Sequence, residues 1–241
     1  MIADIFPKNK VASMNGIYGS AVYLGGALAS LGILLDNQFG WRTTTLFIGA
    51  FGAAAATSGI FLIKLPQQQE GAQPAPSQKA KSEEAEGTTG ALQGVGKVFQ
   101  DVWKDSGSVL SSKAARVIFL ATAFRFCAGF SIGTWKAPFM VEKFPEFVNS
   151  FSAINAGVIS VGGLASSLLG GLLADRVFTG RRKLWVPAIG SLLAIPTFAL
   201  FVTQDSFGVA LFCLFLEYLV AECWFGPTLA ALYDVVPQDK R

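Results

Sequence analysis

The sequence predicts an all-α membrane protein with six transmembrane helices. Of its 241 residues, 52% are hydrophobic and only 15% are charged. A soluble domain carries about 25% charged residues, so this chain lacks the polar groups that a water-exposed surface needs. The apolar residues also lie in long uninterrupted stretches, and a bilayer core about 30 Å thick requires about 20 helical residues.

Each predicted span follows from one such stretch. Four are free of charge over their whole length: residues 11–35, 43–63, 150–174 and 184–204. A further span covers 117–141 and is interrupted only by Arg125 and Lys136. The last begins with 206–216 and continues past Glu217 and Glu222. Cys127, Cys213 and Cys223 fall within these spans without metal-ligand or disulfide spacing, which favours buried thiols and predicts no metal site.

The distribution of positive charge predicts the orientation. With six spans, both termini lie on the same side, together with the loops after the second and fourth spans. That side carries fifteen of the 19 Lys and Arg residues, whereas the other side carries Arg42 and Lys143. Positively charged loops remain cytoplasmic. We therefore expect a multi-pass protein with cytosolic termini, and the sequence does not indicate which membrane it occupies.

One long segment does not resemble a membrane span. Residues 67–96 are rich in Gln, Ser, Pro, Gly and charge, a composition that cannot bury a core. After it, apolar residues recur at helical spacing over 95–103, which favours an amphipathic helix on the inner leaflet over a continuation of the linker. The predicted division is 1–65 with two helices, 66–113 as a cytosolic linker, and 114–241 with four helices.

The chain begins and ends on similar residues. Asp4, Pro7 and Lys10 precede the first span with the same spacing that Asp234, Pro237 and Lys240 show after the last. Matched phrases six helices apart are what a parallel six-helix repeat would produce. We interpret them as equivalent points in the two halves of a duplicated fold.

The loop between the fourth and fifth spans, "GGLLADRVFTGRRKLW", indicates a family. Its pattern resembles the signature loop of the major facilitator superfamily, transporters with twelve helices in two halves (6+6). Gly171, Asp175, Arg176, Gly180, Arg181 and Arg182 match that signature, although three residues (Val177, Phe178 and Thr179) stand where the family pattern has one. The resemblance implies a partial bundle, with the spans as helices five to ten of twelve. Such a part of the bundle would not transport by itself.

Other stretches are similar to one branch of that superfamily. "GTWKAPFM", "LWVPAIGSLLAIP" and "WFGPTLAALYDVVP" look most like Spinster-type transporters, which are associated with export of sphingoid lipids or lysophospholipids. The resemblance implies substrate-site roles for Trp135, Glu217 and Trp224.

Ionisable residues near the bilayer centre are the candidate binding residues. A charge there is costly if it faces lipid, so it faces a cavity or a partner. Arg125, Gly129, Ile132 and Lys136 share one face of their helix, and Glu217, Ala221, Trp224 and Thr228 share one face of the last. We expect Arg125 to hold an anionic group and Glu217 to accept a proton or gate an ion pair, or the two to form a permanent structural pair. Glu222 points about 140° away from Glu217, and Lys136 is placed to extend to the outer interface.

These features predict a secondary transporter of a lipid-like or organic anionic amphiphile, with protons as the candidate coupling ion. The alternatives are a transporter of a polar solute and a non-transporting membrane receptor or scaffold. An enzyme is not expected, because His is absent and no catalytic constellation is present. We expect membrane lipids and a small substrate as partners, no nucleic acid and no cofactor.

Overall fold

A computed structural model describes residues 5–7, 9–62, 107 and 109–236, and for Asn149 and Arg181 it describes the backbone alone. The described residues form helices and turns and contain no β-strand. Six helices are long and apolar enough to cross a membrane, which confirms the predicted all-α six-span architecture. The linker, the amphipathic helix over 95–103 and parts of the two matched phrases (Asp4, Pro237 and Lys240) lie outside the described residues.

The helices follow the chain with short connections. They are α1 (Val11–Phe39), α2 (Trp41–Leu62), α3 (Lys113–Lys143), α4a (Val148–Gly157), α4b (Leu164–Arg176), α5 (Trp185–Thr203), α6a (Phe207–Ala221) and α6b (Phe225–Val235). A π-helical turn, Val158–Gly163, joins α4a to α4b, and a 3-10 turn, Glu222–Trp224, joins α6a to α6b. Within the described residues, α1–α2 form a first segment and α3–α6b a second.

The interruption in the last span follows from its sequence. Pro227 has no N–H to donate to the carbonyl four residues earlier, and its ring crowds that carbonyl. The helix accordingly changes to a 3-10 turn one turn before the proline. This turn lies in the middle of the span and frees backbone acceptors there.

Helix α1 is the element that ties the two segments together. It packs along α4a and α4b, and it packs on α6b at one end. Close approach is possible because small residues face each other: a Cβ atom built on Gly16 would lie 2.6 Å from the Ser167 carbonyl oxygen, and one on Gly171 would lie 2.7 Å from that of Ala12. Helix α2 packs on α1 and is otherwise exposed.

Two apolar clusters close the ends of the bundle. One lies where α1, α4b, α5 and α6b meet and includes Val11, Ala174 and Ala230. We call this the basic end, because Lys10, Arg176 and Arg182 surround it. The other cluster, built around Met140, Phe151 and Phe201, fills the opposite end. The middle of the bundle, between these two clusters, contains polar side chains and open space.

Candidate functional site

A central cavity of about 520 Å³ lies between α1, α3, α4 and α6. Apolar and aromatic side chains form much of its wall, including Val22, Ile33, Phe126, Phe130 and Ile159. The charged residues that line it are Arg125, Lys136 and Glu222. The cavity thus combines a broad apolar surface with a few ionic groups, the composition that small-molecule sites usually have.

Arg125 forms an ion pair with Glu222. Its Nη2 donates to the Glu222 carboxylate over 2.9 Å and to the backbone oxygen of Ala221 over 3.1 Å. The second acceptor is available because α6a ends at Ala221, so the helix break supplies a backbone oxygen at the depth of the guanidinium. The guanidinium also lies 5.6 Å from the ring centre of Trp224, within cation–π range. Both side chains of the ion pair are largely buried, with 15% and 16% of their surface exposed.

The second oxygen of Glu222 connects this pair to α1. It accepts a hydrogen bond from the hydroxyl of Tyr23 over 2.8 Å and one from the indole nitrogen of Trp224 over 3.3 Å. Tyr23 belongs to the first segment, whereas Arg125 and Glu222 belong to the second. The carboxylate therefore holds together three helices and both segments.

This arrangement corrects the sequence-based pairing of Arg125 with Glu217. The prediction placed Arg125 opposite the stripe of the last span that begins at Glu217. The guanidinium instead contacts Glu222, which lies five residues later in the same span. Glu217 is buried, with 3% exposed, and faces a separate cavity of about 400 Å³ between α3, α5 and α6. Within the described part of the chain it makes no hydrogen bond and no ion pair.

Lys136 also differs from its prediction. It does not extend to the outer interface; only 5% of the residue is exposed. Its ammonium group donates to the hydroxyl of Tyr218 over 2.9 Å and lies 4.8 Å from the centre of that ring. The carboxylates of Glu217 and Glu222 attract it, but neither is within ion-pair distance. Among the described residues, Lys136 is thus a buried cation without a contacting counter-ion.

Of the two candidate tryptophans, one lines the cavities and the other lies on the surface. Trp224 lines the central cavity, and together with Thr228 it lines a smaller cavity of about 220 Å³ between α3 and α5. Trp135 is 70% exposed and does not line any of these three cavities. It lies next to Lys136 in the sequence but on another face of α3.

The signature loop closes the basic end. The Asp175 carboxylate accepts hydrogen bonds from the backbone N–H groups of Ala12 and Ser13, over 3.3 and 2.7 Å, and from the Ser13 hydroxyl over 2.7 Å. These N–H groups belong to the first turn of α1, whose own N-cap residue, Lys10, provides no side-chain bond. The Asp175 carboxylate therefore caps the N-terminus of α1, a helix of the other segment.

The other signature residues shape the turn. Gly171 lets α4b approach α1, and Gly180 adopts a φ of +63°, which favours glycine. Arg176 lines a cleft between α1 and α4b, and Arg182 is exposed. The side chain of Arg181 is outside the description. The adjacent Lys183 is buried and pairs with Asp234 over 3.2 Å, joining the start of α5 to the end of α6b.

Sequence reasoning missed several polar partners. Tyr23 and Tyr218 were not singled out, because neutral aromatic residues in an apolar stretch are usually core or interface side chains. A second omission is the polar cluster at the opposite end, where Ser30 and Ser152 exchange hydrogen bonds with each other's backbone oxygens over 3.1 and 2.6 Å. Asn155 donates to the Ser30 hydroxyl over 2.8 Å. A helical-wheel comparison of all polar residues in α1 and α4 could have found this cluster.

Searches of curated proteins and of solved structures returned no match. A family model described as Major Facilitator Superfamily matches residues 1–241. The match agrees with the six apolar helices and with the signature loop at the end of α4b. The chain belongs to the Major Facilitator Superfamily of membrane transporters.

Proposed function

We propose that the chain forms part of a secondary-active transporter that moves an anionic amphiphile by alternating access. In this proposal its spans correspond to helices five to ten, with residues 66–113 linking the two halves. The observation that carries the proposal is the central cavity: buried cations on one helix, an apolar and aromatic wall, and a position between the two segments. A family likeness to Spinster-type transporters is in keeping with such a substrate.

The composition of the cavity supports an amphiphile over a polar solute. Its volume of about 520 Å³ is within the usual range for small-molecule sites, about 300–1,000 Å³. A sugar would need many hydrogen-bonding groups around its hydroxyls, whereas most of the lining residues are apolar, aromatic or glycine, and the polar groups among them bond to one another. An aliphatic chain could occupy the region of Phe126, Phe130 and Ile33, with its charged group near the cations.

The Arg125–Glu222–Tyr23 contacts are suited to a conformational cycle. Because they join α1 to α3 and α6, a relative movement of the two segments must lengthen at least one of them. We propose that these bonds break and re-form as the cavity opens to alternate sides. The guanidinium already has a carboxylate, a backbone oxygen and an aromatic ring as partners, so in this proposal Arg125 is not the direct anion-binding group.

Glu217 is our candidate for the proton-accepting group. It is buried, it faces a cavity, and within the described residues it has no hydrogen bond that would fix its protonation state. The alternative was a permanent ion pair between Glu217 and Arg125. It is not supported, because Arg125 pairs with Glu222 instead.

The charge distribution supports one orientation of the bundle in the membrane. We infer that the basic end faces the cytosol, because Lys and Arg residues are concentrated in cytoplasmic loops. Asp175 and the first turn of α1 would then close the cytosolic side.

Transport by the full-length protein in proteoliposomes tests this function. Uptake of a radiolabelled long-chain alkyl phosphate should depend on the protein and should respond to an imposed proton gradient, while glucose should not accumulate. Protein-dependent glucose uptake would instead favour the polar-solute alternative. Binding without movement of either compound would favour a receptor or scaffold.

A further inference from the structure

We propose that Lys136, rather than Arg125, anchors the anionic group of the bound amphiphile. The inference rests on the proposed transport function and names the residue that selects charge within the same cavity. The ligand class is an aliphatic chain with one anionic head group, such as an alkyl phosphate or a carboxylate.

The first argument is the unequal pairing of the two cations. Arg125 contacts a carboxylate and a backbone oxygen. Lys136 contacts a neutral phenol and, within the described residues, no carboxylate. A buried charge without a contacting partner is far more costly than a paired one, so an anion gains more at Lys136.

The second argument is the space beside each group. A Cβ atom built on Gly129 would lie 3.0 Å from Nη1 of Arg125, so the guanidinium occupies the cavity at that level. A Cβ atom built on Gly133, less than one turn from Lys136, would meet no atom within 4 Å. Gly133 and Lys136 both line the central cavity, so the cavity wall is open one turn before this lysine, whereas the guanidinium fills the corresponding space beside Arg125.

The third argument concerns the acidic residues of α6. Glu222 turns both oxygens toward Arg125, Tyr23 and Trp224. Glu217 attracts Lys136, but it lines the separate cavity of about 400 Å³ between α3, α5 and α6, which Lys136 does not line. Within the central cavity, neither carboxylate is in contact with the lysine.

The test measures selectivity between two probes that differ only in charge. The full-length protein is placed in phosphatidylcholine nanodiscs, and binding of a bromine-tipped tetradecyl phosphate is compared with that of the matching tetradecanol. Bromine quenches tryptophan fluorescence, so every tryptophan except Trp224 is first replaced by phenylalanine, and the remaining signal reports from the cavity wall. Lys136→Met should weaken phosphate binding by about 10- to 100-fold, the effect of a lost hydrogen bond to a charged group, with alcohol binding unchanged.

Three further variants complete the experiment. Lys136→Arg keeps the charge and should retain most of the phosphate preference. Lys143→Met removes a cation of the same helix that lies outside the cavity, and it should leave both affinities unchanged. Arg125→Gln combined with Glu222→Gln removes an ion pair whose net charge is zero. Because the net charge of the cavity is unchanged, this double variant should reduce phosphate selectivity less than Lys136→Met does.

The inference is overturned if Lys136→Met keeps the preference for phosphate, or if the double variant loses more of it. Unchanged alcohol binding verifies that each variant is folded. If Lys136→Met does not fold, Tyr218→Phe serves instead: it removes the acceptor of the ammonium group, so the lysine gains more from an anion, and phosphate affinity should rise by at least about 3-fold. An unchanged or lower phosphate affinity in Tyr218→Phe would also overturn the inference. Selective binding at Lys136 without transport would leave this inference intact and contradict the proposed function.

Discussion

Replacement of Asp175 by alanine should destabilise the protein by separating α1 from α4b. The carboxylate is buried, with 6% of the residue exposed, and it accepts three hydrogen bonds from Ala12 and Ser13. Loss of an N-cap costs about 1 kcal/mol, and an interhelical hydrogen bond in a membrane is worth about 0.6 kcal/mol. We therefore expect a loss of about 1.5–2 kcal/mol, which lowers the Tm by about 3–8 °C for a chain of this size.

A thiol-reactive dye can follow the unfolding in detergent. The side chain of Cys213 is buried and that of Cys223 is half-buried, so both become reactive as the bundle opens. Asp205→Ala is the matched control: this carboxylate lies 3.6 Å from the Lys143 ammonium at the opposite end, but its side chain is 98% exposed, and exposed ion pairs contribute little to stability. A double-mutant cycle with Ser13→Ala should give a coupling energy of at least about 0.5 kcal/mol. A Tm unchanged in Asp175→Ala, or strictly additive effects, would refute the interhelical cap.

Three other outcomes are expected. Gly171→Ala should lower the Tm, because the added Cβ atom would meet the α1 backbone. Gly25→Ala should not lower it, because no atom lies within 4 Å of the added Cβ and alanine favours a helix over glycine by about 1 kcal/mol. Equal effects of the two substitutions would argue against close packing at Gly171. Tyr23→Phe removes the hydroxyl bond to the central carboxylate and should cost about 1 kcal/mol in the same assay, and an unchanged Tm would contradict that bond's contribution. In a single-cysteine background, an impermeant maleimide should modify Thr179→Cys when it is applied from the cytosolic side of the membrane, and Ser206→Cys when it is applied from the opposite side. The reverse pattern would contradict the proposed cytosolic position of the basic end.

The positions of the spans could be predicted because charge and length are sufficient criteria in a membrane. The second predicted stretch, 43–63, corresponds to Trp41–Leu62, and the fourth, 150–174, corresponds to Ser150–Arg176. The extra residues, Trp41 and Arg42 in one span and Asp175 and Arg176 in the other, are amphipathic or charged and continue the helix beyond the apolar stretch. Hydropathy measures the apolar stretch alone and therefore underestimates helix length.

The partners within the cavity could not be predicted in the same way. A regular helical wheel gives the direction of Arg125 and Glu217 but not their relative depth, which depends on how α3 and α6 pack. The 3-10 turn at Glu222 also supplies the Ala221 oxygen, an acceptor that a regular helix would have used internally. The position of Lys136 differs from the prediction for a related reason: its distance from the helix end allowed an interfacial position, but Tyr218 on a neighbouring helix offers a closer acceptor.

The two polar locks on α1 have a mechanical consequence. Ser13, bonded to Asp175, and Ser30, bonded to Ser152, are separated by roughly 25 Å along the helix at 1.5 Å per residue. If α1 tilts as a rod about its midpoint, a rotation of about 10° displaces each end by roughly 2 Å relative to α4. Hydrogen bonds do not survive such a change in length. A tilt of α1 in the plane of these bonds must therefore break the hydrogen bonds at one end or the other. The free energy of those bonds contributes directly to the free-energy cost of tilting α1.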